Sequence, residues 1–203
     1  MDGAGRREPR GGATLQSRVS DALAGATLEE LATTGYARLT VEGVARRAGV
    51  GKAAVYRRWP SKLEMTMAAL SQLVVPTAEV PDSGSLREDL LASLRALHDW
   101  LVDPVHGAVV PDLTSAAAHD AGLAEALWRE VGQPRRALAS AMLARGIERG
   151  ELPGDLDVEM ALDVVAGPLY WRLSVRRVPV DDAYLEALCE WLLRALGALG
   201  EGP

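Results

Sequence analysis

The chain of 203 residues contains no phenylalanine, one cysteine and three histidines, and aromatic side chains make up only 4% of it. Each shortage excludes something. A single cysteine, Cys189, cannot close an intrachain disulfide, so the chain reads as cytoplasmic. His98, His106 and His119 stand at no spacing that would gather them with Cys189 or with paired carboxylates around a metal ion. No serine lies in a nucleophile-elbow phrase, and no glycine-rich phosphate loop of the Walker or dinucleotide type occurs. Neither an enzyme nor a cofactor or metal site is expected. No apolar run approaches the ~20 residues needed to span a bilayer, and the arginine-rich N-terminal stretch lacks the apolar core of a signal peptide. A membrane is therefore not expected as a partner. Strand-like alternation and internal repeats are also missing. What remains is an all-α chain of about nine helices.

The net charge is −6, which taken as a uniform property would oppose contact with nucleic acid. The distribution is far from uniform. Residues 1–65 carry eleven Lys/Arg against seven Asp/Glu, a balance of +4, while residues 66–203 carry eleven against twenty-one, a balance of −10. Phosphate contact is a local electrostatic matter, so a basic head on an acidic body suits a DNA reader.

Within that head, TVEGVARRAGVGKAAVYRRWPSK, Thr40 to Lys62, reads as two short helices, a tight turn between them and the start of a third. Thr40 can cap the first with its hydroxyl. Val41, Val44, Ala45 and Ala48 then recur at helical spacing. Gly49 falls where the chain must reverse, a position that needs positive φ. Gly51 to Arg58 forms the second helix, and Pro60 ends it. Gly51, Ala53 and Ala54 would let its backbone approach something large, with Lys52, Tyr56, Arg57 and Arg58 beside them as phosphate-binding groups. This is the sequence form of a helix-turn-helix that enters a major groove of double-stranded DNA. A surface helical hairpin with solvated arginines would share the pattern.

The run GYARLTVEGVARRAGVGKAAVYRRWPSK, Gly35 to Lys62, resembles the DNA-binding head of the TetR family of transcriptional repressors. The matching positions are Gly35, Tyr36, Thr40, Val41, Ala48, Gly49, Val50, Tyr56, Trp59, Ser61 and Lys62. The resemblance implies a three-helix head completed by helix 4, a helical ligand-binding and dimerisation body, and DNA contacts from Thr40, Arg47, Gly51, Lys52, Ala53, Ala54, Tyr56, Arg57, Arg58 and Lys62. Three positions depart from the family pattern. Gly51 replaces a serine that would cap the recognition helix. Gly43 sits inside helix 2, where glycine costs ~1 kcal/mol relative to alanine. Trp59 replaces a phenylalanine, in a chain that has none.

In chain order, residues 1–13 read as a disordered basic arm that either adds contacts to DNA or is an inert tail. Residues 14–80 form the head, with helix 1 from Thr14 to Thr34 and helix 4 from Ser61 to about Val75. The composition shift PTAEVPDSGS marks a linker. Residues 81–203 form the body. Ser61 with Glu64 and Ser85 with Glu88 are capping boxes. Pro104, Gly107 and Pro111 divide Val105 to Ala118 into one or two short helices. Asp120 caps a helix that Gly132 and Pro134 interrupt, and a longer helix ends at Gly150. Asp155 or Asp157 opens the next, and Asp181 or Asp182 opens the last.

A phrase from Arg149 to Val175 is similar to one in many actinobacterial-type members of the family. It implies that the last two long helices form a four-helix dimer interface, with Gly167, Pro168, Leu169, Trp171, Leu185, Leu188, Leu192 and Leu196 as candidates. The same residues read equally as intrachain core. The middle helices would enclose a pocket for a small-molecule effector. Its candidate lining is Leu97, His98, Leu101, Val109, Leu113, Leu127, Trp128, Leu138, Met142, Val165, Leu169 and Tyr170. The expected function is a regulator that binds a palindromic operator as a homodimer and is released by a ligand. The alternative is a helical ligand-binding or dimerising protein that does not read DNA.

Overall fold

The computed structural model describes residues 10–71 and 82–198, with side chains of the first helix from Val19 onward. Among these residues there are helices and turns and no strand. The chain divides into two compact units, Met1–Gln72 and Leu73–Pro203. The linker expected at 76–85 and the boundary near residue 80 fall largely outside the described residues, as do residues 1–9 of the expected arm.

The first unit contains α1 (Arg10–Thr34), a 3-10 turn (Tyr36–Arg38), α2 (Val41–Arg47), α3 (Lys52–Tyr56) and α4 (Lys62–Leu70). Helix α1 starts at Arg10, so residues 10–13 are helical and not part of an arm. It packs against α2 and α4, and α2 against α3. The shared core is aliphatic: Leu23, Leu31, Leu39, Val44, Val55, Met65 and Leu70 are all buried to within 2%. Each such side chain contributes about 1.5–3 kcal/mol of transfer free energy. Tyr36 is only half-buried, and the Lys62 ammonium lies 4.2 Å from the centre of its ring.

The turn between α2 and α3 has a full set of local bonds. Thr40 Oγ1 accepts the Gly43 N–H at 3.1 Å, which caps the start of α2. At its end the Val50 N–H reaches the Ala45 carbonyl and the Gly49 N–H reaches that of Arg46. This Schellman closure requires a left-handed residue, and Gly49 has φ of +68°. Helix α3 is shorter than the eight residues expected. Gly51 is its N-cap, in extended backbone with no side-chain bond, and Arg57 is its C-cap.

Gly43 has a packing reason that offsets its poor helix propensity. A Cβ there would stand 2.4 Å from the Glu30 carboxylate of α1. That carboxylate is buried and is held by Arg47, with Nε and Nη2 at 2.9 and 2.8 Å from Oε2. The pair ties the end of α2 to α1 across the glycine.

The second unit contains α5 (Leu86–Val102), α6 (Pro104–Ala117), α7 (Ala121–Leu127), α8 (Gln133–Glu148), α9 (Val158–Tyr170) and α10 (Asp182–Ala195). Helix α5 is central and packs against α6, α8, α9 and α10. The caps form as the sequence indicates. Ser61, Ser85 and Asp120 accept from the third residue of their helices, and Asp157 and Asp181 open the last two.

Of the one or two helices expected over Val105 to Ala118 one forms, and the break expected at Gly132 does not occur. Helix α6 is continuous through Pro111, because Pro104 sits at its first turn, where no N–H is needed, and Asp103 caps both Val105 and His106. Pro111 then removes one bond from an otherwise intact helix held by buried Val109, Val110 and Leu113. Likewise α7 runs into α8 through a π turn, Trp128–Gly132, so the two form one helical body and the described residues hold nine. Gly132 does not stop the helix. It makes room for the Trp128 ring, whose nearest atom would be 2.4 Å from a Cβ. A second π turn, Trp171–Val175, continues α9.

Two glycines in the α2–α3 turn should respond in opposite ways. Gly49→Ala forces a left-handed alanine and should cost about 1–2 kcal/mol. Gly51→Ser meets no neighbour within 4 Å, keeps an allowed backbone and supplies the missing cap, so it should add roughly 0.5 kcal/mol. Urea unfolding of the full chain followed by circular dichroism checks both signs.

Candidate nucleic-acid interface

Helix α3 is anchored through one residue. Val55 is fully buried, and this sets the faces of its neighbours. Lys52, Ala53, Tyr56 and Arg57 are exposed, Gly51 is exposed ahead of them, and Ala54 is half-buried. Positions 52 and 56, and 53 and 57, each lie one turn apart, so they form a continuous outer surface. Its leading half is small, and its trailing half carries a tyrosine hydroxyl and a guanidinium. Thr40 is exposed at the start of α2, its hydroxyl engaged in the cap.

The cations of the unit fall into two groups. Several are held within the fold. Arg47 is bound to Glu30, with Glu29 at 3.6 Å. Arg58 donates from Nε to Ser20 Oγ on α1 at 2.9 Å. Lys62 donates to the Ala37 carbonyl at 3.4 Å besides stacking on Tyr36. Arg47 and Arg58, both expected at the DNA surface, are thus turned toward α1. Lys52 pairs with Glu42 of α2 at 2.6 Å, and this bond holds the Glu42 carboxyl below its usual range. By contrast, Arg46 and Arg57 are exposed and have no ion-pair partner among the described residues. Arg46 was missed by sequence reasoning. It stands one turn after Glu42 on α2, and its exposed helical position was the available signal.

The body residues separate by burial. Of the expected pocket lining, Leu101, Met142 and Val165 are buried, Leu97, His98, Leu127 and Tyr170 are half-buried, and Trp128 is exposed against Gly132. A surface groove of this unit is lined by Gly107, Ala108, Pro111, Asp112, Leu173, Ser174 and Arg177, none of them expected. Of the expected dimer residues, Leu169, Leu185, Leu188, Leu192 and Leu196 are buried within the chain, which agrees with the core reading. Pro168 is half-buried, while Gly167 and Trp171 are exposed. Met160, Val175 and Trp191 join Trp171 as exposed large apolar residues that the leucine pattern concealed.

A glycine-closed pair of short helices, an outward second helix carrying small residues, cations and a tyrosine, and a helical second unit define a helix-turn-helix DNA-binding regulator. Residues 23–69 match the model described as bacterial regulatory proteins of the tetR family, and residues 80–192 match the tetracyclin repressor-like C-terminal domain. The chain belongs to the TetR family of transcriptional regulators. It is 34% identical over 178 residues to the DNA-binding transcriptional repressor TetR of Mycobacteroides abscessus, covering 87% of this chain and 93% of that one. It is 33% identical to the HTH-type transcriptional regulator YdeS of Bacillus subtilis, over 82% of this chain and 84% of that one. A solved TetR family regulator, SCO0332, superposes with a TM-score of 0.69 at 38% identity, over 87% of this chain and 97% of that one. No described helix is long and apolar enough to cross a membrane.

Glu42 is a carboxylate on the face that carries Lys52. Glu42→Gln should therefore raise affinity for random-sequence duplex several-fold and steepen the logarithmic salt dependence by roughly one unit. Fluorescence anisotropy across a salt series measures both. An unchanged slope would place Glu42 away from the phosphates.

Proposed function

We propose that this regulator is a repressor that binds an inverted-repeat operator as a homodimer and leaves it when a small molecule occupies the Leu73–Pro203 unit. The observation that carries the DNA reading is the outer surface of α3, anchored by buried Val55 and presenting Lys52, Ala53, Tyr56 and Arg57. Ala53 and Ala54 approach base edges in the major groove, Lys52 reaches a base or its flank, and Tyr56, Arg57, Arg46 and Lys62 position the helix on phosphates. Gly51 brings backbone close to the duplex without a side chain. Thr40 adds contact at the start of α2. Arg47 acts through α1 by fixing the angle of α2, and Arg58 does the same from the end of α3.

One five-residue helix reads few base pairs, so specificity needs two heads. The surface proposed for pairing lies along α9 and its π turn, where Met160, Gly167, Trp171 and Val175 recur at helical spacing and are exposed, together with exposed Trp191 of α10. Exposed large side chains grouped on two helices are a characteristic of interaction sites. The repressor role is supported by the Mycobacteroides abscessus relative, a DNA-binding transcriptional repressor. Release follows from linkage: a ligand that favours the body conformation incompatible with operator lowers DNA affinity by its differential affinity for the two states. The protein is proposed to act in the cytoplasm.

Selection from a random duplex pool, followed by anisotropy titration at physiological salt, tests the reading. It should return an inverted repeat bound at least about 10³-fold more tightly than random duplex. Tyr56→Ala should weaken binding to all sequences and lower the salt slope, whereas Lys52→Ala or Ala54→Ser should change the preferred base. A pool that shows no enrichment would favour a dimerising protein without specific reading. Replacing Trp171 and Trp191 together by glutamate should yield monomers in sedimentation velocity and reduce operator affinity more than affinity for random duplex.

A further inference from the structure

Arg135 and Arg136 are adjacent on α8 and have opposite surroundings. Arg136 is gripped by Glu159 and Asp163 of α9. Arg135 turns the other way, and its guanidinium carbon lies 3.7 Å from the centre of the Trp100 ring of α5. Its Nη2 is shielded from solvent and bonds no acceptor among the described residues. Burial depresses its pKa to about 10, and no carboxylate among the described residues acts in the other direction. Against the same indole stacks the His106 ring, 5.1 Å away at 28°, and its Nδ1 is also buried without a hydrogen bond. Asp103, the nearest carboxylate, stands 3.6 Å from that nitrogen and spends its oxygen on two backbone N–H groups of the α6 cap.

A cation taken out of water without a counter-charge costs free energy, as does each orphaned donor. The cation–π contact recovers part of this but accepts no hydrogen bond. Two such orphans on one tryptophan mark a place for a group that the described residues do not supply. The missing group is anionic and accepts hydrogen bonds. A single guanidinium with its neighbouring arginine already neutralised offers one net charge, which suits a monoanion better than a phosphate dianion. The two rings beside it, Trp100 and His106, are largely apolar, which suits a charge carried on an apolar body.

We infer that Arg135, Trp100 and His106 form the recognition point for a carboxylate on an apolar effector. This rests on the reading of Leu73–Pro203 as an effector-binding unit and specifies its ligand class. Arg135 supplies the charge-assisted bonds, Trp100 holds the guanidinium plane, and His106 supplies a further polar contact.

The test uses the full-length chain and three matched pairs at constant ionic strength: indole-3-acetate and indole-3-acetamide, 2-naphthoate and 2-naphthamide, decanoate and decanamide. Inorganic phosphate serves as a fourth arm. At least one acid should raise the thermal midpoint by about 2 °C more than its amide. Calorimetry should show that acid binding roughly tenfold weaker or worse in Arg135→Met, and intermediate in Arg135→Lys. If no acid exceeds its amide, or if phosphate matches the acids, the inference is overturned, and this comparison needs no variant. Equal acid binding in Arg135→Met with the fold intact also overturns it. A selected operator duplex separates the two levels. An Arg135-dependent acid that leaves operator occupancy unchanged upholds the site and sinks release by effector, whereas release by the amides as readily as by the acids upholds effector control and sinks the carboxylate assignment.

Discussion

The contact on which the DNA-reading unit depends is the Glu30 carboxylate lying over Gly43 and held by Arg47. A buried charge is tolerated only when it is paired and hydrogen-bonded. Here the pairing crosses from α1 to the last turn of α2, and the missing side chain at Gly43 lets the two backbones close on it. Removing Arg47 would strand the buried Glu30 carboxylate, whereas Arg47 without Glu30 would still meet water and Glu29, so the pair matters most through Glu30. Helix α3 inherits that orientation, since its own attachment is one buried valine and the Gly49 turn. A five-residue helix has too few bonds to hold itself. Its ability to read DNA is therefore a property of the platform beneath it.

This arrangement changes how the basic residues of the unit are to be counted. The net positive balance of the first 65 residues is what attracts a polyanion at long range. At contact distance many of those charges are already engaged: Arg47 with Glu30, Arg58 with Ser20, Lys52 with Glu42. Among the described cations, Arg46 and Arg57 are exposed and carry no ion pair. Where cations are already paired and a carboxylate lies beside them, random duplex is bound less tightly and discrimination falls more to shape and base contact.

Much of the local structure was legible in the sequence because it depends on residues three or four apart. Thr40, Ser61, Ser85, Asp120, Asp157 and Asp181 cap helices through bonds to nearby backbone, and Gly49 announces its positive φ by its place in the turn. What stayed hidden depends on distant partners. Arg47 meets Glu30 across 17 positions, and nothing local distinguishes it from a phosphate contact. The leucines of α10 repeat at helical spacing whether they face α5 or a second copy, and it is their burial against the chain that separates the two. Pro111 and Gly132 look like breaks, yet the cap at Asp103 and the Trp128 ring make each compatible with helix. The Arg135–Trp100 contact joins α8 to α5 and carries no motif at all.

The central claim is that two α2–α3 elements, set by this platform, enter major grooves on one side of a duplex. Hydroxyl-radical footprinting of a selected operator at increasing protein concentration addresses it most directly. The account predicts protected patches related by a two-fold axis, phased by the helical repeat on one face, appearing together at two chains per site or a multiple of two. Uniform protection without phase, or a single patch saturating at one chain per site, would contradict it.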